Sequence, residues 1–398
     1  MIIFHIDVNN AFLSWESVYR LREEGETLDL RTVAAVIGGS EKTRHGIVLA
    51  KSPIAKTYGI KTAETLSDAR KKCPNLLVVP PRHDIYRDFS HRLIEYLKSL
   101  TDTVEQFSID EAFADMTGSE LLQKYSAVEA ANFIRTEVEK RFGFTVNIGI
   151  SSNKLLAKMA SDFEKPDKVH TLFPEEVPLK MWPLPINELF MAGKSSVDTM
   201  KKLEINTIGD LAKADPALIE LHLKSHGRML WNFANGIDDS QVQSKPLEAK
   251  GIGNSTTLSE DAATYEEVQK VFKSLAQSVG GRLKKAGQKA MMVSMEVKYH
   301  NFQTMSHQRQ LSKPTDKEEE IYDAACQLFL ESWNGEPVRL LGIRTAKLVD
   351  ASEPEQLSLF DIKIPEKPDE KHQKLNKAME EIRKKFGDSA VMKASEMK

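Results

Sequence analysis

Three acids carry the chemistry this sequence could do: Asp7, at the end of the first apolar run, and the adjacent pair Asp110 and Glu111 inside Ser108-Ile109-Asp110-Glu111-Ala112-Phe113. A carboxylate at a strand end is ordinarily solvated, whereas several converging on one point repel each other unless a divalent cation neutralises them. Two such cations about 3.5–4 Å apart would clamp the attacking and the leaving oxygen of a phosphoryl displacement. The chemistry expected is nucleotidyl transfer. Read singly, Asp7 is a strand-end cap and Asp110-Glu111 an exposed turn. Neighbouring strand residues point to opposite faces, so both members of the pair reach one metal only from a turn or a kink.

Bulk composition sets the frame for these acids. The 398 residues suit about two to four domains. With 41% hydrophobic and 28% charged residues, the chain has the make-up of a globular protein with a large core. A net charge of −3 gives no global field toward nucleic acid, so local patches must carry any such argument. Cys73 and Cys326 are too few and too far apart for a disulfide framework or a zinc cluster, which suits a reducing cytoplasm. The first residues enter a strand without a basic segment and apolar signal core, and no apolar run approaches the ~20 residues of a membrane span. Neither secretion nor membrane insertion is expected.

The elements that must position the acids follow from periodicity. Ile2 to Asp7 and Val33 to Gly38 read as buried strands around a helix near 11–24, and Gly38-Gly39 breaks the pattern. A charged helix is expected over Tyr86 to Leu100, a strand pair around the acidic motif, a helix over Ala127 to Lys140 and a strand over Phe144 to Ile150. Ser151-Ser152-Asn153 supplies caps for a helix from Lys154 to Phe163. Strands alternating with helices imply an α/β layer around Asp7 and Asp110. From Val177 to Asp238 the pattern is helical, and residues 239–250 read as a linker. A second mixed domain follows, with a helix over Thr264 to Ala286 and an alternating strand that sets Val293, Met295, Val297 and Tyr299 against Ser294, Glu296, Lys298 and His300. Its last strand is expected over Leu340 to Leu348. In the tail, Leu375, Ala378, Met379, Ile382 and Phe386 share a helical face closed by Gly387.

In this order the motifs resemble the Y-family translesion DNA polymerases over essentially the whole chain. The matching residues are Asp7-Val8-Asn9-Asn10-Ala11-Phe12, Ser108 to Asp115, Gly149 to Ala160, and Lys165-Pro166. Any one alone is weak, and jointly they are highly specific. The resemblance implies an α+β multidomain right hand with a ferredoxin-like palm (1–10 and 76–166), small fingers (11–75) and a helical thumb (167–238). A linker (239–250), a separate α/β little finger (251–350) and a tail (351–398) complete it. It implies Asp7, Asp110 and Glu111 as catalytic carboxylates that, with the Val8 carbonyl, hold two Mg²⁺ ions. It also implies Phe12 as a steric gate against a 2′-hydroxyl, where periodicity alone gives a core aromatic. Asp115 reads as structural, and no histidine shows metal-ligand spacing.

Triphosphate needs cations, because catalysis of its transfer is positioning plus charge neutralisation. Lys56 and Lys165 match family positions that reach the phosphates. Pro53 and Lys56 replace the Tyr and Arg of many members, so charge survives while bidentate geometry is lost. Lys51 could compensate, and its plain reading is a solvated lysine. Ala11, where an aromatic is common, enlarges the nucleotide pocket.

For DNA, Leu189 to Lys194 resembles a helix-hairpin-helix whose turn offers backbone N–H groups to phosphate, with Gly193 and Lys194 at its end. Only Gly193 of its Met191-Ala192-Gly193 turn takes φ > 0 freely. Arg282, Lys284, Lys285, Lys298 and Arg309 form a basic set expected to track the duplex backbone, with salt-sensitive binding. Gln356-Leu357-Ser358-Leu359-Phe360 resembles the sliding-clamp-binding peptide of bacterial polymerases. Its apolar Leu357, Leu359 and Phe360 stand in a polar tail and want a groove.

The function expected is template-directed, low-fidelity DNA synthesis from deoxynucleoside triphosphates, without proofreading, by a monomer on primer-template in the bacterial cytoplasm at the nucleoid. Two other readings stay open. A metal-dependent nucleotide cyclase would leave the hairpin, the basic set and the tail peptide without purpose. A non-catalytic scaffold binding DNA and clamp would suit the exchanges at Pro53 and Met191.

Overall fold

The computed structural model describes residues 1–40, 44, 46–245, 248–352, 377–382 and 384–385. The peptide at 356–360 lies outside them, as do Leu375, Phe386 and Gly387. Of the tail helix, residues 377–382 are helical, with Met379 buried and Ala378 and Ile382 exposed.

The strand that ends in Asp7 is the middle of a five-stranded sheet, ordered β5-β6-β1-β7-β8. These strands are β1 (Ile3–Val8), β5 (Thr103–Gln106), β6 (Glu111–Asp115), β7 (Val146–Ser151) and β8 (Val169–Thr171). β1 runs antiparallel to β6 and β7, in a register that sets Asp7 opposite Glu111 on one side and Asn147 on the other. Every residue of β1 is buried, because helices cover both faces. Phe4, Ile6 and Val8 pack with α1 (Ala11–Glu23), α4 (His83–Lys98) and α6 (Ala127–Phe142) in the largest core. α6 starts at a Ser126–Glu129 capping box and stops at Gly143, and α5 (Glu120–Lys124) precedes it.

His5 and Asp7 face the other way, toward α7 (Lys154–Ser161). Burial pushes the His5 imidazole well below its ordinary pKa, the nearby Lys158 and Lys165 adding to this, and its Nδ1 lies 2.8 Å from Ser161 Oγ. It is a core histidine. α7 is drawn in so tightly that a Cβ on Gly149 of β7 would stand 2.0 Å from the Ala157 carbonyl oxygen. Only glycine permits that approach, which brings Lys158 to the acids. Asn153 caps α7 through a bond from the Leu156 N–H.

A three-stranded sheet, β3-β2-β4, stands beside the first. It comprises β2 (Ala35–Gly38), β3 (Val48–Lys51) and β4 (Leu77–Val79), with α2 (Pro53–Thr57) and α3 (Leu66–Lys72). Ser52 caps α2 and Pro53 occupies its first turn, where the missing N–H costs nothing. The helical region holds α8 (Val177–Lys180), α9 (Lys194–Lys202), α10 (Ile208–Lys213) and α11 (Pro216–Ala234), which share a core with Leu155, Leu156 and Met159 of α7. α7 is therefore wedged between a sheet and a helical layer.

The C-terminal sheet, β11-β10-β12-β9, is antiparallel throughout. It contains β9 (Gly251–Ala262), β10 (Gln288–Tyr299), β11 (Thr304–Thr315) and β12 (Val338–Asp350), with α12 (Tyr265–Ala286) and α13 (Glu318–Ser332) packed on it. Val293, Met295, Val297 and Tyr299 are buried in the core under these helices, as their alternation implies.

Asp29 ties α1 to the sheet layer. Its carboxylate accepts bonds from Ser17 Oγ (2.7 Å) and the Arg31 N–H (2.9 Å), while Arg31 donates to the Gly143 carbonyl (2.7 Å). The Arg31 side chain, with Ser17 assisting, holds the Asp29 carboxyl down at about 2 against the cost of burial. A depressed carboxyl contributes stability that is present above its unfolded pKa near 3.8 and lost as pH falls through about 2. Asp29→Ala should therefore cost about 1 kcal/mol at pH 7, after discounting for partial exposure. In urea denaturation the gap between wild type and variant should close between about pH 4 and pH 2. A gap independent of pH would show that the carboxylate is not the source.

Candidate active site

A cavity of about 480 Å³ opens between the end of β1, the start of α1, the β3–α2 segment and the loop after α7. Its wall includes Asp7, Val8, Phe12, Lys51, Lys56, Asp110 and Lys165, so residues from distant parts of the chain meet in one place. Ala11, Leu49, Ala50 and Pro53 add a small, apolar portion.

Asp110 occupies the turn before β6, which is the geometry that lets neighbouring acids reach one site. The Val8 N–H donates to its carbonyl (3.0 Å), and its carboxylate accepts from Ser108 Oγ (2.7 Å). Glu111 starts β6 beside Asp7. Burial, then the neighbouring Asp7 carboxyl, pushes Glu111 up to about 7, against the pull of Lys158. Asp115 accepts a bond from the Thr117 N–H and stays a structural residue.

The donor set of Asp7, Asp110 and Glu111 carboxylates with the Val8 carbonyl is all hard oxygen, the kind that suits Mg²⁺. Among the described residues no group of three His, Cys, Asp or Glu side chains is gathered into a metal cage. Instead ammonium groups hold the acids: Lys158 Nζ is 2.7 Å from Glu111, and Lys165 Nζ is 3.1 Å from Asp7. Asp7 and Glu111 are already arranged around positive charge, the role a divalent cation would fill, while the Asp110 carboxylate is held by Ser108.

Lys165 is aimed by two buried amides. Asn147 donates to the carbonyls of Ser161 (3.0 Å) and Glu164 (2.7 Å), and Asn9 accepts from the Asp167 N–H (2.9 Å) and donates to Asn147 (3.1 Å). The backbone on either side of Lys165 is thus fixed. Lys51 also lines the cavity and donates to Thr62 Oγ1 (3.0 Å). Burial, then the proximity of Lys56, lowers its pKa, so it is not the solvated lysine of the plain reading.

Phe12 is stacked on Tyr86, with ring centres 4.7 Å apart, and meets the edge of His83 at 5.6 Å. The Tyr86 hydroxyl donates to Glu16 (2.9 Å), a fully buried carboxylate that also receives Arg20 Nε and Arg82 Nη2 at 2.7 Å each. An unpaired charge there would cost several kcal/mol, so this group is locked as a unit. Sequence reading passed over Glu16. Its signal was the i, i+4 pairing of Glu16 with Arg20, one helical turn after Phe12.

Two expectations about DNA contacts are corrected. In the hairpin-like turn it is Met191 that takes the left-handed conformation (φ 68°), while Gly193 is extended (φ −69°) and caps α9 ahead of Lys194. The basic set does not form one strip. Arg309 sits opposite Val293 and donates to Gln327 and Glu331 of α13, Lys284 of α12 pairs with Glu318, and Arg282 donates to the Gly253 carbonyl. Lys298 alternates onto the opposite, open face, and Lys285 is exposed on α12. The open face carries a groove lined by Ser294, Glu296, Ser306, Gln308 and Arg344. Arg344 was missed because its strand looked apolar, although it alternates with Ile343 and Thr345.

Residues 6–162 match the impB/mucB/samB family and residues 249–359 its C-terminal domain. The chain is 46% identical over 393 residues to DNA polymerase IV of Clostridium acetobutylicum, covering 99% of this chain and 97% of that one. It is 37% identical to DNA polymerase IV of Bacillus velezensis over 399 residues, covering 100% and 93%. A solved Y-family DNA polymerase chimera of Dbh and Dpo4 shares the fold, with a TM-score of 0.75 at 21% identity over 88% of this chain and 99% of that one. The chain, with its acid-lined cavity, belongs to the impB/mucB/samB family of Y-family DNA polymerases, among relatives named DNA polymerase IV.

Proposed function

We propose that this translesion DNA polymerase extends a primer by two-Mg²⁺ nucleotidyl transfer at the cavity between the two N-terminal sheets. The observation that carries the reading is a single cavity with Asp7 and Asp110 on one side and Lys51, Lys56 and Lys165 lining the rest. Asp7, Asp110, Glu111 and the Val8 carbonyl would hold two Mg²⁺ ions, which when bound neutralise phosphate charge and lower the pKa of the primer 3′-hydroxyl. The three lysines take the triphosphate as point charges and receive the pyrophosphate as the primer oxygen displaces it in line from the α-phosphorus. Phe12, braced by Tyr86, lies under the sugar and leaves no room for a 2′-hydroxyl.

On this reading the five-stranded unit is the palm, residues 11–75 are the fingers, 167–238 the thumb, 239–250 a linker and 251–350 a little finger. Gly193 and Lys194 at the α9 N-terminus and the open C-terminal sheet face with Lys298 hold duplex phosphates. The expected signature is affinity that falls with salt and ignores sequence. The enzyme acts as a monomer at the bacterial nucleoid, and among the described residues no helix is long and apolar enough to cross a membrane. Residues 351–398 carry the sliding-clamp peptide.

Primer extension with deoxynucleotides and Mg²⁺ tests the site. Asp110→Ala should lower kcat by roughly a thousand-fold, whereas extension at the wild-type rate would reject the assignment and favour a scaffold or another reaction. In the same assay Phe12→Ala should raise ribonucleotide use, relative to deoxynucleotide, by roughly a hundred-fold. Equal sugar discrimination in variant and wild type would remove the gate. Deleting residues 356–360 should spare distributive synthesis and abolish stimulation by the clamp, and undiminished stimulation would take this partner out of the account.

A further inference from the structure

Asp162 has no part in the roles assigned above, yet it lies against both lysines that hold the acids. The Lys158 side chain is 9% exposed, and its Nζ lies 2.7 Å from Glu111 Oε1, 3.5 Å from Asp7 Oδ2 and 3.2 Å from Asp162 Oδ2. Lys165 Nζ lies 3.1 Å from Asp7 Oδ1 and 2.8 Å from Asp162 Oδ1. Asp7 and Asp162 each offer one oxygen to each lysine, so the four side chains close a ring of alternating charge. Burial alone would lower the Lys158 ammonium pKa, but Asp162, Glu111 and Asp7 outweigh it and raise the value.

The place of Asp162 is informative in itself. It is the C-cap of α7, where the helix presents its negative end and a carboxylate is unfavourable without compensation. The two lysines supply that compensation. Asp162 is also half-exposed, at 44%, and is absent from the cavity wall that Lys165 lines.

Consider what must happen when a metal-bound triphosphate arrives. Asp7 can turn an oxygen to a cation only if Lys165 leaves Asp7 Oδ1. The backbone around Lys165 is pinned by Asn9 and Asn147, so the side chain alone must move. An ammonium group has three donors, and one of them can stay on Asp162 while the others swing to phosphate.

We propose that Asp162 is a positioning residue, a pivot that keeps Lys158 on Glu111 and lets Lys165 pass from Asp7 to the incoming triphosphate without losing its ion pair. This rests on the cavity being the nucleotide site. Without the Asp162 charge, Lys165 keeps Asp7 as its one carboxylate and Lys158 leans harder on Asp7 and Glu111. An entering metal then competes with more firmly held cations, so more of it is needed.

The test uses the full chain on primer-template ended in a 3′-deoxy nucleotide, where no bond can form, and follows deoxynucleoside triphosphate binding as Mg²⁺ is titrated. Asp162→Asn suits a helix C-terminus, so the fold should persist, with primer-template affinity as its check. The Mg²⁺ midpoint should rise about three- to five-fold in Asp162→Asn, the scale of a partly exposed ion pair, and return toward wild type in Asp162→Glu. A midpoint unchanged in Asp162→Asn, or one that Asp162→Glu leaves equally raised, would overturn the pivot. Wild-type extension by Asp110→Ala would instead bring down the cavity assignment beneath it.

Discussion

The placing of Asp7 beside Glu111 is the constraint around which the N-terminal half is organised. Antiparallel pairing of β1 with β6 sets the two acids side by side, and burial, then the Asp7 carboxyl, raises the pKa of Glu111. Positive charge has to be brought in, and α7 brings it. The helix lies close enough to deliver Lys158 because β7 carries Gly149, and it stays there because its opposite face is part of the helical core through Leu155, Leu156 and Met159. Substitution at a position as remote from the chemistry as Gly149 would therefore act on the acids, by pushing back the helix that neutralises them.

A second locked charge supports the side of the cavity where Phe12 is proposed to meet the sugar. Glu16 is buried with Arg20, Arg82 and Tyr86 as its partners, and the Tyr86 ring it fixes is the surface on which Phe12 lies. Steric exclusion needs a wall that does not yield, and a lone aromatic at a helix start could turn about χ1. Stacking on a tyrosine whose hydroxyl is tied to a buried carboxylate removes that freedom. Asp7 and Glu111 and the proposed gate are thus held by different means, the acids by lysines and Phe12 through a closed hydrogen-bonded group. That division suits a site where cations must come and go while the sugar pocket keeps its shape.

Much of this was legible because the relevant signals are local. Strand alternation in β10, the cap at Asn153 and the turn before Glu111 can each be read from a few neighbouring residues. What escaped depends on contacts between distant segments. Nothing near Asn147 in sequence says that its amide will hold the carbonyls of Ser161 and Glu164. Lys51 looked like a surface lysine because only the folding of β3 against the cavity gives it a second lysine for a neighbour. The hairpin turn misled for a different reason: glycine is the residue that most easily takes φ > 0, yet here the strain falls on the exposed Met191. The basic set misled because linear clustering says nothing about faces, and strand register carries Arg309 to the helix side while Lys298 goes to the open side.

That partition bears on how the protein holds DNA. The chain has a net charge of −3, and Arg309 and Lys284 are engaged by Glu331 and Glu318 on the helix side of the C-terminal sheet. Any electrostatic attraction to a duplex must therefore come from local patches, and each phosphate contact would contribute a counterion-release increment that salt erodes. An enzyme gripping DNA through few such contacts leaves its primer often. A tail peptide bound to a ring already encircling the duplex would change the arithmetic without adding a DNA contact. It would turn rebinding into an intramolecular step, raising the effective concentration of the primer end without a new contact. On the proposed reading, a weak intrinsic grip and a clamp-bound tail would be two halves of one arrangement: the polymerase would be brought in where the clamp waits and released once the tail lets go.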